Sequence, residues 1–186
     1  RFINLIKENV FATELITAHP ILLDELLMPQ LYHTPPSCQE NLMRLQERLL
    51  RIENDDLEEQ MEELRLFKKI MIFRIAMSDK AHTLPVMKIS DALTWLAEAI
   101  VKELLILAWH QTVAKYGEPP NCTVDDPGMA VIAYGKLGGI ELGYKSDLDM
   151  VFICDSTDEY TQGEHSVSCA IFYQRLVHRM LHLSVT

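Results

Sequence analysis

Residues 129–154 read Met129-Ala130-Val131-Ile132-Ala133-Tyr134-Gly135-Lys136-Leu137-Gly138-Gly139-Ile140-Glu141-Leu142-Gly143-Tyr144-Lys145-Ser146-Asp147-Leu148-Asp149-Met150-Val151-Phe152-Ile153-Cys154. An apolar run ends in a glycine-rich turn, and Ser146-Asp147-Leu148-Asp149 opens a second apolar run. Met129–Tyr134 and Leu148–Cys154 read as buried strands. Side chains alternate along a strand, so Asp147 and Asp149 are expected to point the same way. They would do so beside a turn rich in exposed backbone N–H groups. Such an arrangement suits a divalent metal and the phosphates of a nucleotide. The glycines fit neither of two common phosphate motifs. Lys136 is followed by Leu137 rather than Ser or Thr, and G-x-x-G-G is not G-x-G-x-x-G.

Before this stretch the pattern is helical. Apolar spacing predicts a helix over 1–17, broken by His19-Pro20, and a short helix from Ile21 to Leu27 that Pro29 ends. Tyr32–Ser37 reads as a loop and Gln39–Ile52 as a helix. Asn54-Asp55-Asp56 makes a turn and an N-cap for a long helix through Arg74. Its acids (Asp55, Asp56, Glu58, Glu59, Glu62, Glu63) precede its bases (Arg65, Lys68, Lys69, Arg74), the order a helix dipole favours. Ser78–Thr83 reads as a connection. Ser90 is expected to cap a helix of about 25 residues that ends at Tyr116 before Gly117 and Pro119-Pro120. After the second strand, Asp155–Glu164 reads as a polar loop and Phe172–Leu183 as a final helix. The expected class is α+β: a predominantly helical part over 1–117, a Pro/Asn/Asp-rich connector over 118–128, and the start of a mixed sheet over 129–186. Two strands are too few to stand alone, so helices or further strands must cover them.

The 186 residues are 48% hydrophobic with a net charge of −10. That acidity argues against a broad nucleic-acid surface, which needs clustered Lys and Arg. No apolar run reaches the roughly 20 residues needed to span a bilayer, so no membrane role is expected. Cys38, Cys122, Cys154 and Cys169 form no CxxC pair, which fits free thiols in a reducing compartment better than disulfides or zinc. The chain begins with Arg1 rather than Met, as expected of a piece of something longer.

Gly135-Lys136-Leu137-Gly138-Gly139, Glu141-Leu142 and Ser146-Asp147-Leu148-Asp149 resemble the nucleotidyltransferase superfamily that includes DNA polymerase beta. The resemblance is closest to the glutamine synthetase adenylyltransferase family, bacterial enzymes of nitrogen regulation. It extends to Leu84-Pro85-Val86-Met87-Lys88-Ile89-Ser90-Asp91 through Trp95-Leu96-Ala97-Glu98-Ala99, and to His19-Pro20-Ile21-Leu22-Leu23-Asp24-Glu25-Leu26-Leu27. Those enzymes carry two related domains, one attaching AMP to a tyrosine of glutamine synthetase and one removing it by phosphorolysis. Gly143-Tyr144-Lys145 before the aspartates looks more like the attaching copy, because the removing copy usually reads Asn-Phe-Ser there.

The resemblance implies a Mg²⁺-dependent, cytoplasmic enzyme with ATP as substrate. Glutamine synthetase and a PII-type nitrogen signal protein are the implied partners. By the same resemblance Asp147 and Asp149 are catalytic metal ligands, while Gly138, Gly139, Ser146 and Lys136 hold the nucleotide. The family places a third acidic residue in a later Val-Asp-x-Arg-Leu-Arg-Pro stretch that this chain does not contain. The chain alone is therefore expected to be inactive, and a non-catalytic helical docking module is the alternative of another class.

Other features have plainer readings. Ser146 serves either to bind phosphate or to cap its own turn. Glu141 is expected to hold the loop through a local salt bridge. His178 and His182 lie at i, i+4, but Arg179 stands where a zinc-protease motif needs Glu, so a surface pair is expected. Trp95 and Trp109 read as packing residues, and Asp55–Glu63 as a solvated face.

Overall fold

The computed structural model describes residues 10–20, 22–25, 35–53, 55–80, 83–155 and 158–185. Seven helices and two strands occur among them: α1 (Val10–Ala18), α2 (Leu22–Glu25), α3 (Cys38–Leu49), α4 (Leu57–Lys80), α5 (Val86–Tyr116), β1 (Met129–Ala133), α6 (Gly135–Gly138), β2 (Met150–Cys154) and α7 (Cys169–Val185). This is an α+β chain, mostly helical with one small sheet. The expected helical residues 1–9, 21, 26 and 27, the loop residues 32–34 and the cap Asn54 lie outside the described residues.

Several helix ends follow from local chemistry. Ser37 caps α3 in a reciprocal box: its Oγ accepts from Glu40 N at 3.2 Å, and Glu40 Oε2 accepts from Ser37 N at 2.8 Å. Asp56 Oδ1 accepts from Glu59 N at 3.0 Å and so caps α4. Gly117, at φ +77°, ends α5 in the left-handed conformation that glycine adopts without strain.

Other ends differ from expectation. α4 continues through Ser78 and Asp79 to Lys80, where a connection was expected. Ser78 Oγ donates back to Arg74 O at 3.0 Å, so its hydroxyl is satisfied inside the helix instead of opening a turn. α5 starts at Val86, four residues before the expected cap, and Ser90 lies inside it. Pro85 supplies the start: its carbonyl accepts from Lys88 N and Ile89 N. α3 stops at Leu49, short of Ile52, while α7 begins at Cys169, ahead of Phe172.

Two compact units divide the chain, one comprising 1–100 with 140–146, the other 101–139 with 147–186. In the first, Leu22, Ile70, Phe73 and Met77 form a buried cluster joined by the partly buried Ile16 and Leu66. The packing thus ties α1 and α2 to α4. Leu45 and Leu49 bury the apolar side of α3, and Arg48 pairs with Glu63 across to α4. In the second unit, Trp109 on α5 meets Phe172 on α7 edge to face, with ring centroids 5.4 Å apart. Tyr173, Leu176, Met180 and Leu183 continue the buried side of α7.

β1 and β2 pair antiparallel in the register Met129↔Cys154, Val131↔Phe152 and Ala133↔Met150. The strands are not buried on both sides, as the continuous apolar runs suggested. Met129, Val131, Met150 and Phe152 are half-buried, whereas Ala130, Ile132, Val151 and Ile153 are exposed. An unbroken apolar run carries no alternation, so it cannot tell one covered face from two.

The four cysteines are free thiols. Among the described residues no helix is long and apolar enough to cross a membrane.

Candidate functional site

Ladder pairing brings the glycine turn to Asp149, although Gly135 and Asp149 lie 14 positions apart in sequence. Beyond the last strand pair, Ala133↔Met150, Tyr134 N donates to Asp149 O at 2.8 Å. Asp149 is thereby fixed opposite Tyr134, at the point where β1 turns into α6. Gly135 sits at φ +54°, and a Cβ there would collide with Asp149 Oδ2. Only glycine meets both demands, the left-handed backbone and the close approach of a carboxylate. Gly138 is needed for another reason, because a Cβ on it would strike Ala133 O.

Both aspartates are exposed, and both precede β2 rather than lying within it. Among the described residues no ion pair neutralises either one. Two like charges in one tripeptide, without a cation, repel each other.

The glycine-rich stretch is one helical turn, not an open loop. Gly138 N donates to Tyr134 O at 3.0 Å and Gly139 N to Gly135 O at 2.9 Å, so these two N–H groups are already engaged. The N–H groups of Gly135, Lys136 and Leu137 have no backbone acceptor among the described residues, as expected at the start of a helical turn. Lys136 is exposed and Leu137 is buried, which anchors the turn by its apolar member.

Ile140 follows the turn at φ +58°, a conformation that a β-branched residue adopts only under strain. Its segment, 140–146, belongs to the first unit. There Leu142 is 4% exposed and the Tyr144 hydroxyl donates to Asp79 Oδ2 at 3.1 Å. Burial first, then the Asp79 carboxylate, push the Tyr144 hydroxyl pKa above the ordinary tyrosine range. Ser146 closes the segment: its Oγ accepts from Gly143 N at 2.9 Å, and its N donates to Gly143 O at 3.1 Å. Of the two roles open to Ser146, this geometry serves the turn.

Sequence reasoning did not single out Tyr144 and Asp79 as a pair. The available signal was Asp79 itself, an acid in the last turn of α4, where the helix dipole disfavours negative charge and a partner is called for. Glu141 is exposed and makes no ion pair among the described residues, unlike the expected loop salt bridge.

The remaining candidates are distributed as surface and core. His178 and His182 are exposed on α7, and no group of three or more His, Cys, Asp or Glu suited to a metal occurs among the described residues. Trp109 is buried and Trp95 half-buried. Asp55, Asp56, Glu58, Glu59 and Glu62 are exposed, while Glu63 is half-buried with Arg48.

Comparison with known proteins identifies the family. The profile of the family described as glutamate-ammonia ligase adenylyltransferase matches residues 1–185. Bifunctional glutamine synthetase adenylyltransferase/adenylyl-removing enzymes are similar along the whole chain. Those of Pseudomonas putida and Hahella chejuensis are 47% and 46% identical over 100% and 99% of it. That of Vibrio parahaemolyticus is 46% identical over 100% of it. The chain spans only about a fifth of these relatives, 19% of the first two and 20% of the third. With a matching profile over nearly every residue and such identity along its full length, the chain belongs to the glutamate-ammonia ligase adenylyltransferase family.

Proposed function

We propose that this chain is part of an enzyme that transfers AMP from ATP to a tyrosine hydroxyl of glutamine synthetase, with Asp147 and Asp149 at the reacting phosphate. One observation supports the reading: the ladder seats the Asp149 carboxylate directly against Gly135, at the start of a turn whose first N–H groups have no backbone acceptor among the described residues. Residues 129–186 would then open the nucleotidyltransferase domain, after the helical region 1–117 and the connector 118–128.

Mg²⁺ fits the donors present. The site offers two exposed carboxylates, hard oxygen ligands without a described cation partner, and Mg²⁺ commonly takes one or two carboxylates together with phosphate oxygens. When bound, it would neutralise triphosphate charge and draw electron density from phosphorus. The protein's own part is mainly positioning. Asp147 and Asp149 present fixed negative charge, the N–H groups of Gly135 and Lys136 are left for phosphate oxygens, and the Lys136 ammonium adds a cation. Gly138 and Gly139 shape the turn, and Ser146 holds the backbone just before Asp147. Phosphoryl-type transfer needs little covalent help beyond such placement. A cytoplasmic setting and a PII-type signal protein as regulator belong to the same proposal.

The test is Asp147→Asn in the full-length gene product, assayed for AMP incorporation into glutamine synthetase. The rate should fall at least about 10²–10³-fold, the loss typical of removing one electrostatic stabiliser. Near-normal incorporation would rule the site out.

A second reading is the adenylyl-removing activity, because the relatives' names carry both activities. Asp147-dependent release of ADP from AMP-modified glutamine synthetase, phosphate and Mg²⁺ would favour it. Gly143-Tyr144-Lys145 before the aspartates supports the attaching activity.

A further inference from the structure

α7 carries no acidic residue, in a chain whose net charge is −10. Its apolar side is buried within the second unit, through Phe172, Leu176, Met180 and Leu183. Arg175, His178, Arg179 and His182 stand at i, i+3, i+4 and i+7, so they line one outward face of the helix. Arg175, His178 and His182 are exposed and Arg179 is half-buried. Lys115, exposed near the end of α5, lies beside this face. Its Nζ is 5.4 Å from the centroid of the Tyr116 ring, and Arg175 Cζ is 4.2 Å from the same centroid. Elsewhere the unit exposes acids, among them Asp125, Asp126, Asp155, Asp158 and Glu164.

What holds the two arginines is neutral. Arg175 stacks on Tyr116, and Arg179 Nε donates to Gln111 Oε1. Tyr116 is itself tied down, its carbonyl accepting from Thr161 Oγ1 at 2.6 Å. No ion pair joins Lys115, Arg175 or Arg179 to an acid among the described residues. An arginine held by a carboxylate is neutralised there. One held by a ring or an amide keeps its charge, and most of its five N–H donors, for a further acceptor. Such side chains are already ordered, so they lose little freedom when a ligand arrives. The face is an outward helix flank, which suits a macromolecule better than a small anion, since small ligands favour concave sites. Duplex nucleic acid is the poorer match, because its phosphates would also meet the surrounding acids.

We propose that the face formed by Arg175, Arg179 and Lys115 docks an acidic surface of glutamine synthetase as the protein substrate. Asp147 and Asp149 belong to the same compact unit as α7. A protein that brings a tyrosine hydroxyl to them must approach this unit, and α7 is where the unit's field attracts an acidic partner. The proposal rests on the reading given under Proposed function.

The experiment uses the full-length gene product. Equilibrium binding to immobilised glutamine synthetase is measured for Arg175→Glu, Arg179→Glu, the milder Arg175→Gln, and Lys68→Glu, a matching reversal at an exposed lysine of α4. KM for glutamine synthetase, KM for ATP, kcat and thermal unfolding are measured beside it. Arg175→Glu and Arg179→Glu should each weaken binding and raise KM for glutamine synthetase about tenfold, with KM for ATP and kcat within about twofold of the parent. Arg175→Gln should move in the same direction by less, at the parental unfolding temperature, which separates docking from folding. Lys68→Glu should bind as the parent does. Added salt should weaken the parent's binding and narrow its lead over the variants. Parental affinity in both Glu variants overturns the proposal, as does a KM for ATP that rises as steeply, or a Lys68→Glu variant equally impaired. So does a duplex DNA probe that binds the parent and is lost in Arg175→Glu while affinity for glutamine synthetase stays. Asp147→Asn, run in parallel, should bind glutamine synthetase like the parent. If it also retains full activity, the site reading fails. If it is inactive while Arg175→Glu and Arg179→Glu bind normally, only the docking face fails.

Discussion

Asp149 Oδ2 occupies the space that a side chain on Gly135 would need, so an acid and a glycine 14 residues apart share one small volume. Asp149 cannot keep its place if Gly135 acquires a methyl group, and Gly135 cannot keep φ +54° without strain if it does.

Gly135→Ala is therefore expected to damage activity and stability together. The left-handed backbone costs a non-glycine residue about 1–2 kcal/mol, before any displacement of Asp149. Denaturant unfolding should show a loss of at least that size, and AMP transfer should fall by an order of magnitude or more. Wild-type stability in this variant would mean that the turn tolerates a different backbone.

Ile140→Gly should have the opposite effect on stability. It relieves φ +58° at a residue that is 49% exposed and so loses little packing. The expected gain is up to about 1 kcal/mol, after allowing for the extra freedom of glycine in the unfolded chain. Activity should not rise with it, since the added freedom lies in the segment that leads to Asp147. Chemical denaturation and the transfer assay, read side by side, check both halves.

Alkaline pH should weaken the fold through two tyrosines. Burial pushes the hydroxyl pKa of Tyr144 above its ordinary value of 10, with Asp79 adding to the effect. Tyr173 shifts the same way, through burial and then its hydrogen bond with Cys122. A pKa raised on folding means that the stabilisation is complete below pH 10 and is lost as pH climbs through the folded-state values. Unfolding free energy should thus decline from pH 10 upward. Tyr144→Phe and Tyr173→Phe should each flatten that slope, although Tyr173→Phe also gives up a 3.0 Å bond to Pro127 O.

Ser37→Ala should destabilise α3 by about 1 kcal/mol through loss of its cap. Acid should erase part of the wild-type advantage. Hydrogen bonds from Ser37 hold the Glu40 carboxyl below its usual pKa of 4.5, so its contribution is present above that value and disappears as pH falls through the lower, folded-state one. Thermal unfolding of Glu40→Gln and of the parent should therefore differ at neutral pH and converge in acid.

Much of the chain's architecture was readable from residues with one strong local preference. Asp56 ahead of α4 and Gly117 before Pro119-Pro120 each have few alternatives, and the helices begin or end there. Where a residue has two comparable options, reading failed. Ser78 and Ser90 both looked like boundaries, yet serine is satisfied inside a helix by bonding back, as Ser78 does to Arg74 O. The strands were legible as strands, but which face stays open depends on what packs there, and Ile132 or Val151 carries no mark of it. At the site, the close sequence motif was visible. The pairing of Tyr144 with Asp79 was not, because it joins side chains 65 residues apart through tertiary structure alone.

Neither compact unit is a continuous length of polypeptide. One boundary falls between Ile100 and Val101, in the middle of α5, and residues 140–146 are returned to the first unit after the second has begun. No single protease nick or gene truncation can release either unit whole: a cut at 100 splits a 31-residue helix and leaves 140–146 with the second unit, and a cut at 139 or 146 leaves 101–139 with the first. Deletion mapping across this region would thus report lost folding where it was meant to locate lost function, and point substitutions are the sounder tool.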